Sequence, residues 1–218
     1  MFLLYLIIFS LFIGSSILVS AAYNPELSGD FEVGDRLYTD QVMEEKEILD
    51  KYYYKRCWIK YKKKLAPGEY YYLKGQFYKK EYDQKDSYNN IALDFWGNYT
   101  SQLSDQLKRR WKLNYKDKVY YTNRTKSYNT YKIEYQLYYK YDKKSDYSLS
   151  LQQQWNDYKN EDSKDSTRNK LGLNWKCDIS DSFEISTSYQ VEKQLYNGTS
   201  GSSDKYGRKL SLGFKYKL

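Results

Sequence analysis

The chain has 218 residues, 29% of them charged, with a net charge of +8 and no histidine. The missing histidine excludes every catalytic dyad or triad that uses one, and two widely separated cysteines make no credible zinc site, so the chain reads as a non-enzyme without metal or cofactor. Its 29 Tyr, 8 Phe and 5 Trp carry too much apolar surface for a disordered chain.

Residues 1–22 hold no charge, are apolar through 2–12 and 17–19, and end in Ser20-Ala21-Ala22, small residues that suit signal-peptide cleavage. The alternative is an uncleaved anchor, because the run is nearly long enough to span a bilayer. No Cys follows the small residues, which argues against a lipoprotein. The remainder suits one domain, and its mean hydropathy leaves no second stretch apolar enough for a transmembrane helix. Residues 23–50 are the one acidic block in a basic chain: Glu26, Asp30, Glu32, Asp35, Asp40, Glu44, Glu45, Glu47 and Asp50 stand against Arg36 and Lys46. Within it, 29–38 alternates Phe31, Val33 and Leu37 as a strand would. In 40–50, Val42, Met43 and Leu49 sit at helical spacing, which predicts a short helix or an external loop.

From residue 51 to the end the pattern has a period of two, placing alternate side chains on opposite faces. Nine runs carry it: 52–65, 69–82, 90–100, 107–120, 130–141, 147–158, 168–177, 183–193 and 209–218. Most have the ten or so residues of a tilted membrane-crossing strand, where soluble strands stop at about five or six. One face is consistently apolar, as in Ile91, Leu93, Phe95; Trp111, Leu113, Tyr115; Leu171, Leu173, Trp175. Cys57 and Cys177 share that face in distant runs and read as small apolar residues, not as a disulfide. Tyr141, Tyr147, Trp155 and Trp175 lie toward run ends, where an amphipathic ring suits a membrane interface.

The connections alternate. Residues 66–68, 101–106, 142–146 and 178–182 are compact, Pro67-Gly68 fitting a type II turn. Residues 83–89, 121–129, 159–167 and 194–206 are longer and rich in Asn, Ser, Asp and Lys. Such asymmetry is that of barrels with tight turns at one rim and larger loops at the other. Closing the ring with an even number of strands requires 29–38 as the first strand. The fold class expected is therefore all-β, an antiparallel up-and-down transmembrane barrel of ten strands, with eight as the alternative count. A soluble β-sandwich or adhesin-type domain is the rival, since a sandwich core produces the same alternation.

The last run, with Leu210, Leu212, Phe214, Tyr216 and Leu218 on one face and Gly213 between, resembles the C-terminal assembly signal of bacterial outer-membrane β-barrel proteins, although that family usually ends in Phe. The resemblance spans nearly all of 23–218 and is architectural; no motif selects a subfamily. It implies an exported, monomeric barrel in the bacterial outer membrane, in contact with lipid and lipopolysaccharide and inserted by the outer-membrane assembly machinery.

The face opposite the apolar one is strongly basic. Arg56, Lys60, Lys74, Lys108, Arg110, Lys112, Lys132, Lys140, Lys170 and Lys176 are the candidate lumen-lining bases, with Lys80, Arg168 and Lys209 beside them. Lys62, Lys64, Lys116, Lys118, Lys215 and Lys217 fall at strand ends, where snorkelling to headgroups or water is the plain reading. The acids on that face are Asp94, Glu134, Glu184 and Glu192. Carboxylate pairs such as Glu184 with Glu192 remain for catalysis in principle, but period-two strands place acids on one face without any such role. A lumen of this charge favours small anionic or polar solutes. The alternatives are a barrel plugged by the acidic 23–50 segment and a structural or surface barrel whose loops meet partners. Tyr interleaved with Lys also suits single-stranded nucleic acid, but export argues against that partner. The Asn-X-Thr triplets at Asn98, Asn123 and Asn197 carry no weight in a bacterial chain.

Overall fold

The computed structural model describes residues 24–42, 45–160, 164–196 and 204–216, with the backbone alone for 37–42 and 45–50. The leader at 1–22, Lys217 and Leu218 lie outside the described residues. Ten strands form one sheet: β1 (Glu26–Val42), β2 (Glu45–Ala66), β3 (Glu69–Tyr82), β4 (Asn90–Gln102), β5 (Leu107–Tyr120), β6 (Tyr128–Lys140), β7 (Ser145–Tyr158), β8 (Ser166–Asp178), β9 (Phe183–Tyr196) and β10 (Lys205–Tyr216). Each pairs antiparallel with its neighbour in the chain, in the order β1 to β10, so the meander and the count of ten are those expected. Among the described residues β1 pairs with β2 alone and β10 with β9 alone.

One expectation fails. Residues 40–42 and 45–50 form neither helix nor loop, because β1 runs on to Val42 and β2 starts at Glu45, with Val42 opposite Glu45; Met43 and Glu44 lie outside the described residues. A register shift between Tyr38 and Thr39 explains the misreading: Tyr38 faces Asp50, whereas Thr39 faces Ile48. The irregularity interrupts the two-residue alternation, and three apolar residues then mimic a helical spacing. The described residues of the acidic segment accordingly belong to β1 and the start of β2, and so to the sheet.

Chain reversals follow local chemistry. Ala66 pairs with Glu69 across Pro67 and Gly68, and Gly68 has φ 74°, the left-handed conformation that the third position of a type II turn requires. The next three tight turns repeat one another: Leu103 N–H donates to Leu107 O (2.8 Å), Tyr141 N–H to Ser145 O (3.0 Å) and Ile179 N–H to Phe183 O (2.9 Å).

That repetition extends along the chain. Strands β3, β5, β7 and β9 begin at Glu69, Leu107, Ser145 and Phe183, one every 38 residues, and β4, β6 and β8 begin at Asn90, Tyr128 and Ser166 with the same step. Each odd strand from β3 onward ends in a tyrosine whose backbone N–H is held by a side chain in the following loop or just before the next strand. Tyr82 donates to Asn89 Oδ1 (2.6 Å), Tyr120 to Ser127 Oγ (2.9 Å), Tyr158 to Asp165 Oδ1 (2.6 Å) and Tyr196 to Asp204 Oδ1 (3.3 Å). The first three of these loops are also tied to the hairpin before them, through Asp83 N–H to Lys51 O, Tyr121 N–H to Asn89 O and Lys159 N–H to Ser127 O. The sheet is thus a row of hairpin units of one design, a regularity hidden in the sequence because the side chains differ from unit to unit.

The two faces differ in exposure, and in the opposite sense to a soluble protein. On β4 the polar Asp94 and Thr100 are 7% and 0% exposed, while the neighbouring Phe95 on the other face is 51% exposed. Leu93, Leu151, Leu173 and Tyr189 are likewise exposed, and Glu134, Thr130, Ser166 and Gln194 are buried. No second layer of elements covers the apolar face among the described residues.

The loop ties predict a specific stability effect. Ser127→Ala leaves the buried Tyr120 N–H without its acceptor and should cost about 1–3 kcal/mol. Ser127→Asn, the residue one unit earlier at Asn89, should restore most of it. Urea unfolding midpoints of the folded protein in detergent check this, and an unchanged midpoint for Ser127→Ala would contradict the assignment.

Candidate functional site

Strand register gathers the expected basic residues on the polar face. Arg56, Lys60, Lys74, Lys108, Arg110, Lys112, Lys132, Lys170 and Lys176 all point to it, and Lys140 lies on it at the exposed end of β6. Their partners divide the face into two sectors.

In the first sector, β2 to β6, aromatic rings hold six of the cations. Lys74 Nζ stands between Trp58 and Trp96, 4.9 and 5.2 Å from their ring centres. Lys60 lies over Tyr72 (4.9 Å), Lys80 over Tyr52 (4.2 Å), Lys118 over Tyr120 (4.6 Å), and Lys108 and Arg110 over Tyr138 (5.1 and 5.2 Å). Each such contact contributes about 0.5–2 kcal/mol, depending on how dry it is. Arg110 also donates to Thr100 Oγ1 (3.4 Å) and Tyr138 Oη (3.3 Å), so side chains of β4, β5 and β6 converge over this face.

Carboxylates hold a second group. Glu134, nearly buried, sits between Lys112 (3.2 Å) and Lys132 (3.3 Å). Asp94 pairs with Lys116 (3.3 Å), Glu192 with Arg168 (3.3 Å) and Glu184 with Lys176 (2.8 Å). The two acids weighed as a catalytic pair are therefore each engaged with a different base.

Two sets of residues escaped the sequence reading. Glu26, Asp30 and Glu32 of β1 fall on this face, where Glu26 pairs with Lys62 (3.1 Å) and Glu32 with Arg56 and the Tyr54 hydroxyl. Asp146 and Asp178 join them, because β7 and β8 extend beyond the runs drawn from sequence. The aromatic partners were also missed, although Trp58-x-Lys60, Tyr72-x-Lys74, Tyr78-x-Lys80 and Lys118-x-Tyr120 display them at the right spacing.

The second sector, β6 to β9, is richer in neutral groups. Thr130 donates to Asn156 (3.1 Å), Asn156 and Gln194 both donate to Ser166 Oγ (3.1 and 3.2 Å), and Arg168 donates to Gln194 (2.9 Å). Beneath this network a hollow of about 160 Å³ opens among Ser150, Gln152, Lys170, Gly172, Asn174 and Gln190. A smaller one of about 90 Å³ lies by Tyr72, Trp96 and Lys112. A wider depression, about 530 Å³, is on the other face, where Gly75 and Gly97 leave a furrow among Ile59, Leu73, Phe95, Leu113 and Ile133. It is open and apolar, and so separate from the polar chemistry.

Cys57 and Cys177 are free thiols on the apolar face. Among the described residues no cluster of Cys, Asp and Glu is placed to hold a metal ion. No family model and no curated protein matches the chain, so the geometry is the basis for a functional reading.

Removing the shared acid tests the electrostatics of the face. Glu134→Gln leaves Lys112 and Lys132 facing each other without a counter-charge. Because both lysines are partly solvated, the cost should be about 2 kcal/mol, below the range for a fully buried pair. Denaturant titration checks it, and Glu134→Gln together with Lys132→Met should recover part of the loss.

Proposed function

We propose that the chain is a monomeric, non-enzymatic β-barrel of the bacterial outer membrane, with β1 and β10 joined and the polar face turned to the lumen. The observation that carries this reading is the inverted burial: apolar side chains stand exposed along the strands while charged and amide side chains are enclosed. In water, such an apolar sheet face would need a covering layer; in a bilayer, hydrocarbon provides it. A sandwich would instead press those residues against a second sheet. Because β1 and β10 run in opposite directions in the meander, joining them continues the antiparallel pairing. The terminal pattern Leu210, Leu212, Phe214 and Tyr216 is exposed on the apolar face, as an assembly signal read by a membrane machinery would require. Lipid and lipopolysaccharide are then the surroundings of the apolar face.

The same geometry supports a narrow passage that favours small anionic or polar solutes. Bases still outnumber acids on the polar face once the acids of β1 are included, and several cations rest on aromatic rings that carry no compensating charge. The interior is crowded by its own side chains, which suits a small pore over a general diffusion channel.

Two measurements test the reading. Leu151→Arg, at an exposed apolar position, should destabilise the folded protein in lipid by about 2–4 kcal/mol, where a water-facing site would show almost no change. In planar bilayers under a KCl gradient, the reversal potential should indicate chloride preference; a silent or cation-selective protein would contradict the passage.

A further inference from the structure

We infer that the hollow over Gly172 is a binding subsite for a small hydroxylated carboxylate, the kind of solute the proposed passage would take. This inference rests on the reading of the polar face as the lumen side.

Strand register builds the hollow in successive rows. Glu134, Gln152 and Lys170 stand side by side on β6, β7 and β8; Ser150, Gly172 and Gln190 form the next row across β7, β8 and β9; Asn174 and Ser188 form the one after. Gly172 makes the space. A Cβ there would come within 2.5 Å of Ser150 Oγ, so any larger residue would close the floor or displace the serine.

The distribution of charge around it points to the ligand. Apart from Lys140 at the exposed end of β6, the bases around the hollow are engaged: Lys112 and Lys132 by Glu134, Arg168 by Glu192, Lys176 by Glu184. Lys170 lies opposite Glu192 in register, yet that carboxylate is taken by Arg168. Lys170 thus has no ion-pair partner among the described residues, and the side chains of Gln152 and Gln190 beside it make no hydrogen bond there. An ammonium flanked by two free amides and by the Ser188 hydroxyl offers charge to a carboxylate and both donors and acceptors to hydroxyl groups. The Glu134 carboxylate in the wall disfavours a dianion such as phosphate. By volume the hollow corresponds to about five water molecules, the size of a three-carbon hydroxy acid.

Isothermal titration of the folded protein in detergent tests the inference, with glycerate as the probe and glycerol, propionate and inorganic phosphate as comparisons. Glycerate should bind saturably, at least tenfold tighter than each of the three. Lys170→Gln should weaken glycerate at least tenfold, Gly172→Ser should also weaken it, and Lys193→Gln, on the opposite face of β9, should leave it unchanged. The heat-dependent gel shift of each variant, compared with the parent, confirms folding. Absence of glycerate uptake, equal binding by the Lys170→Gln variant, or tighter binding of phosphate would overturn the subsite. Chloride preference in bilayers without glycerate binding would overturn the subsite alone, whereas glycerate binding in a cation-selective protein would overturn the anion passage and leave the subsite standing.

Discussion

Everything in this molecule follows from a two-sided strand whose oily side has no protein to cover it. Leu93, Phe95, Leu151 and Leu173 stand exposed in a sheet ten strands wide. The hydrophobic effect disfavours leaving such a face open to water, and the proposed membrane setting would cover it with hydrocarbon. The opposite face must then satisfy its polar groups internally, and it does so with ion pairs, amide networks and cations seated on aromatic rings.

The repeated hairpin makes this arrangement economical. One unit of 38 residues sets the strand lengths, the tight turn, and a loop whose side chain receives the last backbone N–H of the outgoing strand. Because these ties are made largely by backbone groups, the side chains on both faces are free to vary. The polar face has used that freedom to become aromatic and cationic from β2 to β6 and neutral and amide-rich from β7 to β9. Charges in the first sector are largely compensated, while Lys170, Gln152 and Gln190 in the second are the groups that the proposed subsite would use.

Much of the fold is legible in the sequence because strict alternation encodes which side of a strand is apolar. Both ends of β3 and β5 are drawn correctly from it, as is the contrast of tight turns with longer loops. Legibility stops where the alternation stops. The register shift at Tyr38 and Thr39 disguises the end of β1 and the start of β2 as a short helix, whereas Glu26 and Glu32, partners of Lys62 and Arg56, lie before it and were hidden because the acids there read as one block. The site was legible as charge and illegible as pairing. Nothing in the spacing tells Lys112, shared with Lys132 by Glu134, from Lys170, left alone because Arg168 captures the acid across from it. The 38-residue unit was hidden for a different reason: a backbone donor accepts Asn, Ser or Asp equally well, so the common geometry leaves little common sequence.

The central claim is that the apolar face touches hydrocarbon. Spin labels placed singly at Leu93, Leu151 and Leu173, and at Gln152 and Gln190 on the other face, would report it in reconstituted vesicles through collisions with oxygen, which concentrates in lipid, and with a water-soluble nickel chelate. High oxygen and low nickel accessibility at the three leucines, with lower oxygen accessibility at the glutamines, is the result this account predicts. Leucine positions that the nickel chelate reaches freely, or that neither reagent reaches, would contradict it.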